Sequence, residues 1–370
     1  MGGESFMMKI NIAMITKNES RCIEKCLRAA APYVDEIIVV DTGSTDDTCE
    51  IAVSISDKIH LYHFDWINNF SAARNFSLEM SEKHGADYSL VLDADEYLRK
   101  PMQDIHDFLE ASCAKCGDAW AGYLFRYSQF YGDNDQIDIE ESRITRLIPR
   151  GTRYTGIIHE QPDFKGPHIS TPFIADHDGY LDRSKGERNL GYLQKEYEKN
   201  PLDPYICYQM GVALKSMKRT TEAGGYFSKF FDLIAGNDNA FKADFVKDGV
   251  VRYLYTLTDI NTSESLEKAF SIVSETEKYF LENSDFYFFR GIFFMKLVLS
   301  DTAKYIEYLP EIEKSYLRCI EIGERDDQMT VTGTGSFKAW HNLGLYYSLF
   351  GDKEKAAKCQ EEEMKTKQRR

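Results

Sequence analysis

Between residues 8 and 98, short apolar runs alternate with stretches of helical spacing, and each apolar run stops abruptly in polar residues. "MKINIAMI" (8–15), "DEIIVV" (35–40), "KIHLYHF" (58–64) and "YSLVL" (88–92) read as strands. Between them, "ESRCIEKCLRAA" has apolar or Cys positions at 22, 23, 26, 27 and 30, which share one helical face. "STDDTCEIAVSI" is predicted as a helix from Ser44, with Ser44 and Asp47 at capping-box spacing. "FSAARNFSLEMSEKHG" is predicted as a helix that stops at Gly85. Alternating strands and helices imply βαβ units, a parallel sheet and helices on both faces. Such sheets bind ligands at the carboxyl ends of their strands. Thr16–Glu19, Asp41–Asp46 and Asp93–Glu96 therefore fall on one edge.

Further along, "AGYLFRYSQF", "SRITRLIPR", "RYTGIIHEQ" and "STPFIADHDG" read as strands continuing the same domain, with His159 and Glu160 at the end of the third. From about residue 185 the chain reads as helical. Trp340, Leu343, Gly344, Tyr347 and Ala356 have tetratricopeptide spacing; Gly211, Ala223 and Phe227 match it in part, and Gly291 marks a degenerate third copy. Small residues at such positions let paired helices approach, so we expect an all-α solenoid rather than a plain bundle. The aromatic segment "DFYFFRGIFF" is expected in its core. The boundary is expected at 182/183, in "LDRSKGER", giving domains 1–182 and 183–370.

The acid cluster is the chemical anomaly. A buried strand ending in Asp93-Ala94-Asp95-Glu96 is not explained by packing. Asp93 and Asp95 alternate to one side of the chain, where two carboxylates would hold a hard divalent cation, Mg²⁺ or Mn²⁺. The plainer alternative is a solvated turn capping a helix before Pro101. In "VVDTGSTDDT", Asp41 ends a strand where it could bond a base or a ribose. Neither a GxGxxG nor a GxxxxGK[ST] run is present, which argues against a dinucleotide fold or a P-loop.

A net charge of −15 argues against a nucleic-acid partner and leaves an anionic substrate in need of local cations. The first residues do not read as a signal peptide, and no apolar run is long enough to span a bilayer, so a cytoplasmic location is expected. Eight scattered cysteines then read as reduced thiols; Cys113-Ala-Lys-Cys116 lacks a second pair and is taken as incidental.

"AMITKNES", "EIIVVDTGSTDDT", "FSAARNFSL", "LVLDADE", "YTGIIHEQ" and "HDGY" occur in this order. Together they resemble family 2 glycosyltransferases, in the bacterial branch that carries tetratricopeptide repeats behind the catalytic domain. The resemblance implies an α/β GT-A fold, a Rossmann-like mixed sheet, in front of the repeat domain. It implies a nucleotide-diphosphate sugar as donor, a UDP-sugar above others, and a saccharide, protein or peptide as acceptor. Thr16, Lys17, Asn18, Glu19 and Asp41 would hold the base and ribose, and Arg74 would reach the nucleotide or its diphosphate. Asp93, Ala94 and Asp95 would hold the sugar nucleotide through Mn²⁺ or Mg²⁺, with Asp95 the direct ligand and His177 the third. Glu160 would be the general base of an inverting displacement, with His159 competing for either role. Thr42 stands where many members have a second Asp, which bears on the base contact. A non-catalytic scaffold is the alternative, disfavoured because the acids are intact. A nucleotidyltransferase is disfavoured because "MITKNES" has no Gly and one Lys. The repeats are expected to hold an acceptor or to form a homodimer.

Overall fold

The computed structural model describes residues 8–101, 103–117, 119–131, 137–179, 185–325 and 330–368. The expected boundary at 182/183 falls outside them. By compactness the chain divides into two units, Met1–Asp182 and Arg183–Arg370.

The first unit runs β1 (Ile10–Thr16), α1 (Ile23–Ala30), β2 (Glu36–Asp41), α2 (Thr48–Val53), β3 (Ile59–His63), α3 (Phe70–Lys83), β4 (Tyr88–Val91), β5 (Glu96–Leu98), α4 (Ile105–Cys116), β6 (Ala121–Tyr131), β7 (Ile137–Pro149), β8 (Tyr154–Thr155), β9 (Gln161–Pro162) and β10 (His168–His177). The main sheet has the order β3-β2-β1-β4-β7-β6-β10-β5. β1 pairs in parallel with β2 and β4, and β2 with β3. β7 is antiparallel to both β4 and β6, so the sheet is mixed, as a GT-A fold requires.

Period-two alternation divides β1 between two cores. Ile10, Ile12 and Met14 pack with Ile23, Cys26, Leu27 and Ala30 of α1. Ala13 packs on the other face with Leu78 of α3, Val91, Ile148 and Tyr154. Each fully buried side chain of the size of Ile or Leu is worth about 1.5–3 kcal/mol. The parallel register sets Thr16 beside Asp41 and Ala13 beside Val91, which brings the ends of β1, β2 and β4 to one edge.

Two local expectations are corrected, and the plainer alternative for the acid cluster falls. α2 begins at Thr48, not Ser44, because residues 44–46 are taken up in bonds to the loop after β1. Glu160 does not end a strand. β8 stops at Thr155, and positive φ at Gly156 (99°) and His159 (51°) turns the chain so that Glu160 sits in a loop. The residues after Asp95 are neither a solvated turn nor a helix start. They form β5, antiparallel to the end of β10 with His177 opposite Glu96.

The second unit contains α5 (Lys185–Lys199), α6 (Pro204–Ser216), α7 (Thr220–Ile234), α8 (Asp244–Ile260), α9 (Ser263–Thr276), α10 (Ser284–Ser300), α11 (Thr302–Tyr305), α12 (Leu309–Ile322), a two-residue strand β11 (Thr330–Val331), α13 (Phe337–Leu349) and α14 (Lys353–Gln368). Phe286, Phe289, Phe293 and Phe294 of the aromatic segment are buried in its core. The small positions are contact points between paired helices. A Cβ on Gly211 of α6 would fall 2.7 Å from the ring of Phe227 on α7. Gly211→Ala adds up to about 1 kcal/mol of helix propensity. Overpacking against a fully buried ring costs about 1–3 kcal/mol and wins. The urea midpoint of the full-length chain is expected to fall; an unchanged or higher midpoint would contradict this packing.

Candidate active site

The edge residues come together through long-range pairing. Asp93 follows β4, and its carboxylate is held on both sides. Arg74 Nη2 of α3 donates to Oδ1 at 2.6 Å, and Arg146 Nη2 of β7 donates to Oδ2 at 2.6 Å. Burial raises the Asp93 carboxyl, but the Arg146 and Arg74 guanidiniums outweigh it and hold it far below the usual range. The same Arg74 Nη2 also donates to Glu160 Oε1 at 3.2 Å, as does Arg74 Nε at 3.2 Å. A single nitrogen thus ties the strand-end acid to the loop acid. Arg74 is 3% exposed, and its Nη1 has no hydrogen-bond partner among the described residues.

Glu96 is fully buried beneath this cluster. Its Oε2 accepts from the Asp93 amide, and its Oε1 accepts from Arg146 Nη2 at 2.9 Å and Arg126 Nη1 at 3.3 Å. Asp93, Glu96 and Glu160 therefore face Arg74, Arg126 and Arg146. Carboxylates and guanidiniums balance, which is how buried charge is tolerated. Sequence reading missed Arg126 and Arg146. Their only signal was an arginine placed among apolar strand residues, in "LFRYS" and "RITRL".

Asp95 lies at a second point. It is buried, and its Oδ1 is 3.7 Å from His177 Nε2. His177 Nδ1 lies 3.3 Å from Ser128 Oγ. If Nδ1 carries the ring proton towards Ser128, Nε2 presents its lone pair to Asp95. Burial and the charge of Arg126 push His177 down to about 4, so the ring is neutral near pH 7. The next residue, Asp178, is clamped by both guanidinium ends of Arg21 (3.0 and 3.1 Å) and by the Tyr97 hydroxyl (2.9 Å). Gly179 is required by space. A Cβ there would fall 2.2 Å from Asp95 Oδ2 and 2.7 Å from His177 Nε2. A carboxylate and a neutral imidazole converging in a cradle only glycine leaves open fit a divalent cation.

Asp93 does not join that pair. Among the described residues, no third carboxylate, thiol or imidazole lies within 4.8 Å of both Asp95 and His177. Where convergence of Asp93 and Asp95 was expected, the Asp93 carboxylate is instead held between Arg74 and Arg146. His159 is exposed, beside Glu160 in the loop. Ala94 is buried between the two acids.

The expected nucleotide loop is also partly occupied. Both Asp41 oxygens accept backbone N–H bonds, from Gly43 at 3.0 Å and from Ser44 at 3.0 and 3.1 Å. Burial raises Asp41, but hydrogen bonding by the Ser44 side chain, then by the Ser44 and Gly43 amides, more than offsets it and keeps it below its ordinary value. Asp41 shapes its own turn. Asn18, at φ 55°, accepts from the Thr45 amide through Oδ1, and its own amide donates to Ser44 Oγ. The Glu19 amide donates to Thr48 Oγ1. The Thr16 carbonyl accepts from the Thr42 amide and hydroxyl, while Thr16 Oγ1, buried, has no partner among the described residues. Lys17 Nζ lies 3.9 Å from where a Gly43 Cβ would stand, over the turn. Asn18 and Asp41 thus tie the loop after β1 to the turn after β2 and close that turn.

A family profile described as "Glycosyl transferase family 2" matches residues 11–166. An uncharacterized glycosyltransferase of Rickettsia felis is 36% identical over 289 residues, covering 73% of this chain and 95% of that one. The SPbeta prophage-derived glycosyltransferase SunS of Bacillus subtilis is 26% identical over 60% of this chain. A TPR repeat-containing protein of Synechococcus elongatus is 29% identical over 55% of it. The chain spans about half the length of the latter two relatives, 52% of each. Among solved structures, MamA of Desulfovibrio magneticus aligns with 51% of this chain and 90% of its own, at 18% identity and a TM-score of 0.38. TarS of S. aureus aligns with 70% of this chain and 50% of its own, at 12% identity and 0.33.

Proposed function

The chain belongs to glycosyl transferase family 2, and from that premise we propose that it moves a sugar from a nucleotide-diphosphate sugar to a saccharide, protein or peptide acceptor, with inversion at the anomeric carbon. The observation that carries the proposal is the single nitrogen, Arg74 Nη2, shared by Asp93 and Glu160. It holds a donor-side acid and an acceptor-side acid in one rigid unit. Asp93, with both oxygens oriented by arginines, accepts from hydroxyls of the donor. Arg74 holds Glu160 through Oε1 alone, so Oε2 takes the acceptor's proton as its oxygen attacks. His159 is the alternative base. Thr16–Glu19, Asp41 and the Ala94 backbone frame the nucleotide, for which a UDP-sugar is the first candidate.

Asp95 and His177 would hold Mn²⁺ or Mg²⁺. When bound, the ion neutralises negative charge on the departing diphosphate. A screen of nucleotide-sugars for hydrolysis, with and without chelator, tests donor class and metal together. Asp95→Ala and Gly179→Ala are each expected to abolish the divalent dependence and to weaken donor binding, the first by removing a ligand and the second by filling the cradle. Donor affinity unchanged by either variant and by chelator would overturn the metal assignment. Product NMR tests inversion: a product that keeps the donor's anomeric configuration would exclude single displacement.

The helical unit holds a macromolecular acceptor or pairs two copies, in keeping with the extended surfaces of solenoids. Light scattering of the full-length chain separates the two, since a monomer at assay concentration leaves only the first. Among the described residues no helix is long and apolar enough to cross a membrane.

A further inference from the structure

At the opposite edge of the sheet, away from Asp93, three potential metal ligands meet that sugar transfer does not use. Glu36 opens β2, His60 is the second residue of β3, and His84 follows α3. Strand register places them together. His60 pairs with Ile38, and Glu36 lies two residues before Ile38, so Glu36 and His60 share a face. One donor atom from each of Glu36, His60 and His84 lies within 4.8 Å of the other two, the one such group of three among the described residues. We propose that Glu36, His60 and His84 form a second cation site, selective for Zn²⁺ or a similar transition metal over Mg²⁺.

The donor set decides the class. Two imidazoles and one carboxylate are a zinc set that leaves a fourth position for water, whereas Mg²⁺ prefers oxygen throughout. The surroundings suit it. Lys9 Nζ holds Glu36 Oε1 at 3.3 Å and leaves Oε2 facing His60 Nε2 at 2.6 Å. Tyr62, on the same face as His60, places its hydroxyl 2.8 Å from His84 Nε2 and so fixes that ring's orientation. The His60 and His84 rings lie 4.0 Å apart between centroids, an arrangement two imidazolium ions would oppose and two neutral ligands would not. Burial and the charge of His60 push His84 below its ordinary value. A Glu36–His60 hydrogen bond alone would explain the 2.6 Å contact but not the second ring lying beside it.

In tetrahedral zinc geometry, with bonds of about 2.0–2.2 Å, ligand atoms stand about 3.3 Å apart. Partly exposed His60 and Glu36 side chains, at 33% and 27%, can adjust to this and leave the ion a path from solvent. The ion takes the place of the hydrogen between His60 Nε2 and Glu36 Oε2, and the ring proton of His60 then sits on Nδ1.

The test uses the full-length chain. Carbethoxylation of each histidine is followed by mass spectrometry with and without Zn²⁺. Zn²⁺ is expected to slow modification of His60 and His84, and Mg²⁺ is not; His177 reports the other site in the same digest. His60→Gln and His84→Gln, checked for native circular dichroism, are expected to lower Zn²⁺ affinity at this site by about tenfold or more. Donor hydrolysis should stay unchanged in both. Unchanged modification rates at saturating Zn²⁺ would overturn the site. So would folded variants that bind Zn²⁺ as tightly as the parent. If a variant does not fold, protection in the unaltered chain decides alone.

Discussion

Replacing Glu160 with Gln lowers the single-turnover rate of sugar transfer by about 10²–10⁴-fold, the usual contribution of one positioned base, and leaves donor affinity unchanged. The substitution is nearly isosteric. The new side-chain amide would still offer a carbonyl oxygen to Arg74 Nε and Nη2, which in the native chain hold Glu160 Oε1 at 3.2 Å. The Asp93 carboxylate also keeps both of its arginines. What is lost is the ability of Oε2 to accept a proton. The loss should therefore appear in the rate and not in binding, the pattern of an interaction made only in the transition state. Donor binding by calorimetry and transfer by rapid quench measure the two separately. A native rate in Glu160→Gln, with a loss in His159→Ala, would move the base to His159.

Arg74→Met is expected to destabilise the first unit by about 3 kcal/mol, the low end for stranding buried charge. The larger penalties arise when both partners are fully desolvated. Here the Glu160 side chain is 10% exposed, but the Asp93 side chain keeps 35% of its surface in water and retains Arg146. The pH dependence carries the sharper signature. A carboxyl depressed by folding stabilises the protein above its unfolded value, near 4, and that stability is lost as pH falls towards the folded value. With both arginines, Asp93 stays ionised through the whole mildly acidic range. Without Arg74, its folded value rises towards the unfolded one, and its contribution is lost at higher pH. Urea unfolding between pH 7 and pH 4 should show a stability deficit in Arg74→Met throughout, with acid unfolding moved to higher pH. Arg74→Lys restores the charge but cannot fork between Asp93 and Glu160, so it should recover stability better than transfer activity. Equal stability of Arg74→Met and the parent across that range would mean the shared nitrogen is not what holds the two acids.

Local periodicity was enough to read much of this protein. Apolar period two in "MKINIAMI" and helical spacing in "ESRCIEKCLRAA" are properties of adjacent residues, and so is the abrupt end of β4 in Asp93, Ala94 and Asp95. From these, the α/β class of the first half, the gathering of its strand ends on one edge and the helical second half follow without coordinates; the antiparallel placement of β7 does not. The close approach at Gly211 was legible for the same reason, since tetratricopeptide spacing is itself local.

What only the tertiary structure decided is which polar atoms meet. Asp95 stands beside His177 because β5 pairs antiparallel with β10, a register spanning about eighty residues that no local pattern encodes. Arg146 reaches Asp93 and Glu96 because β7 inserts beside β4. Asp41, read as a base contact, also closes its own turn by accepting from the Gly43 and Ser44 amides, bonds that no spacing in the sequence announces. Glu160 reaches Arg74 through positive-φ residues, where a strand reading had placed it at a β end. The Glu36, His60 and His84 group gave no sequence signal, its members lying on β2, on β3 and after α3. Spacing along the chain dictates which face a side chain takes. Partners for buried charge are dictated by strand order and register, and these are settled only when the whole sheet assembles.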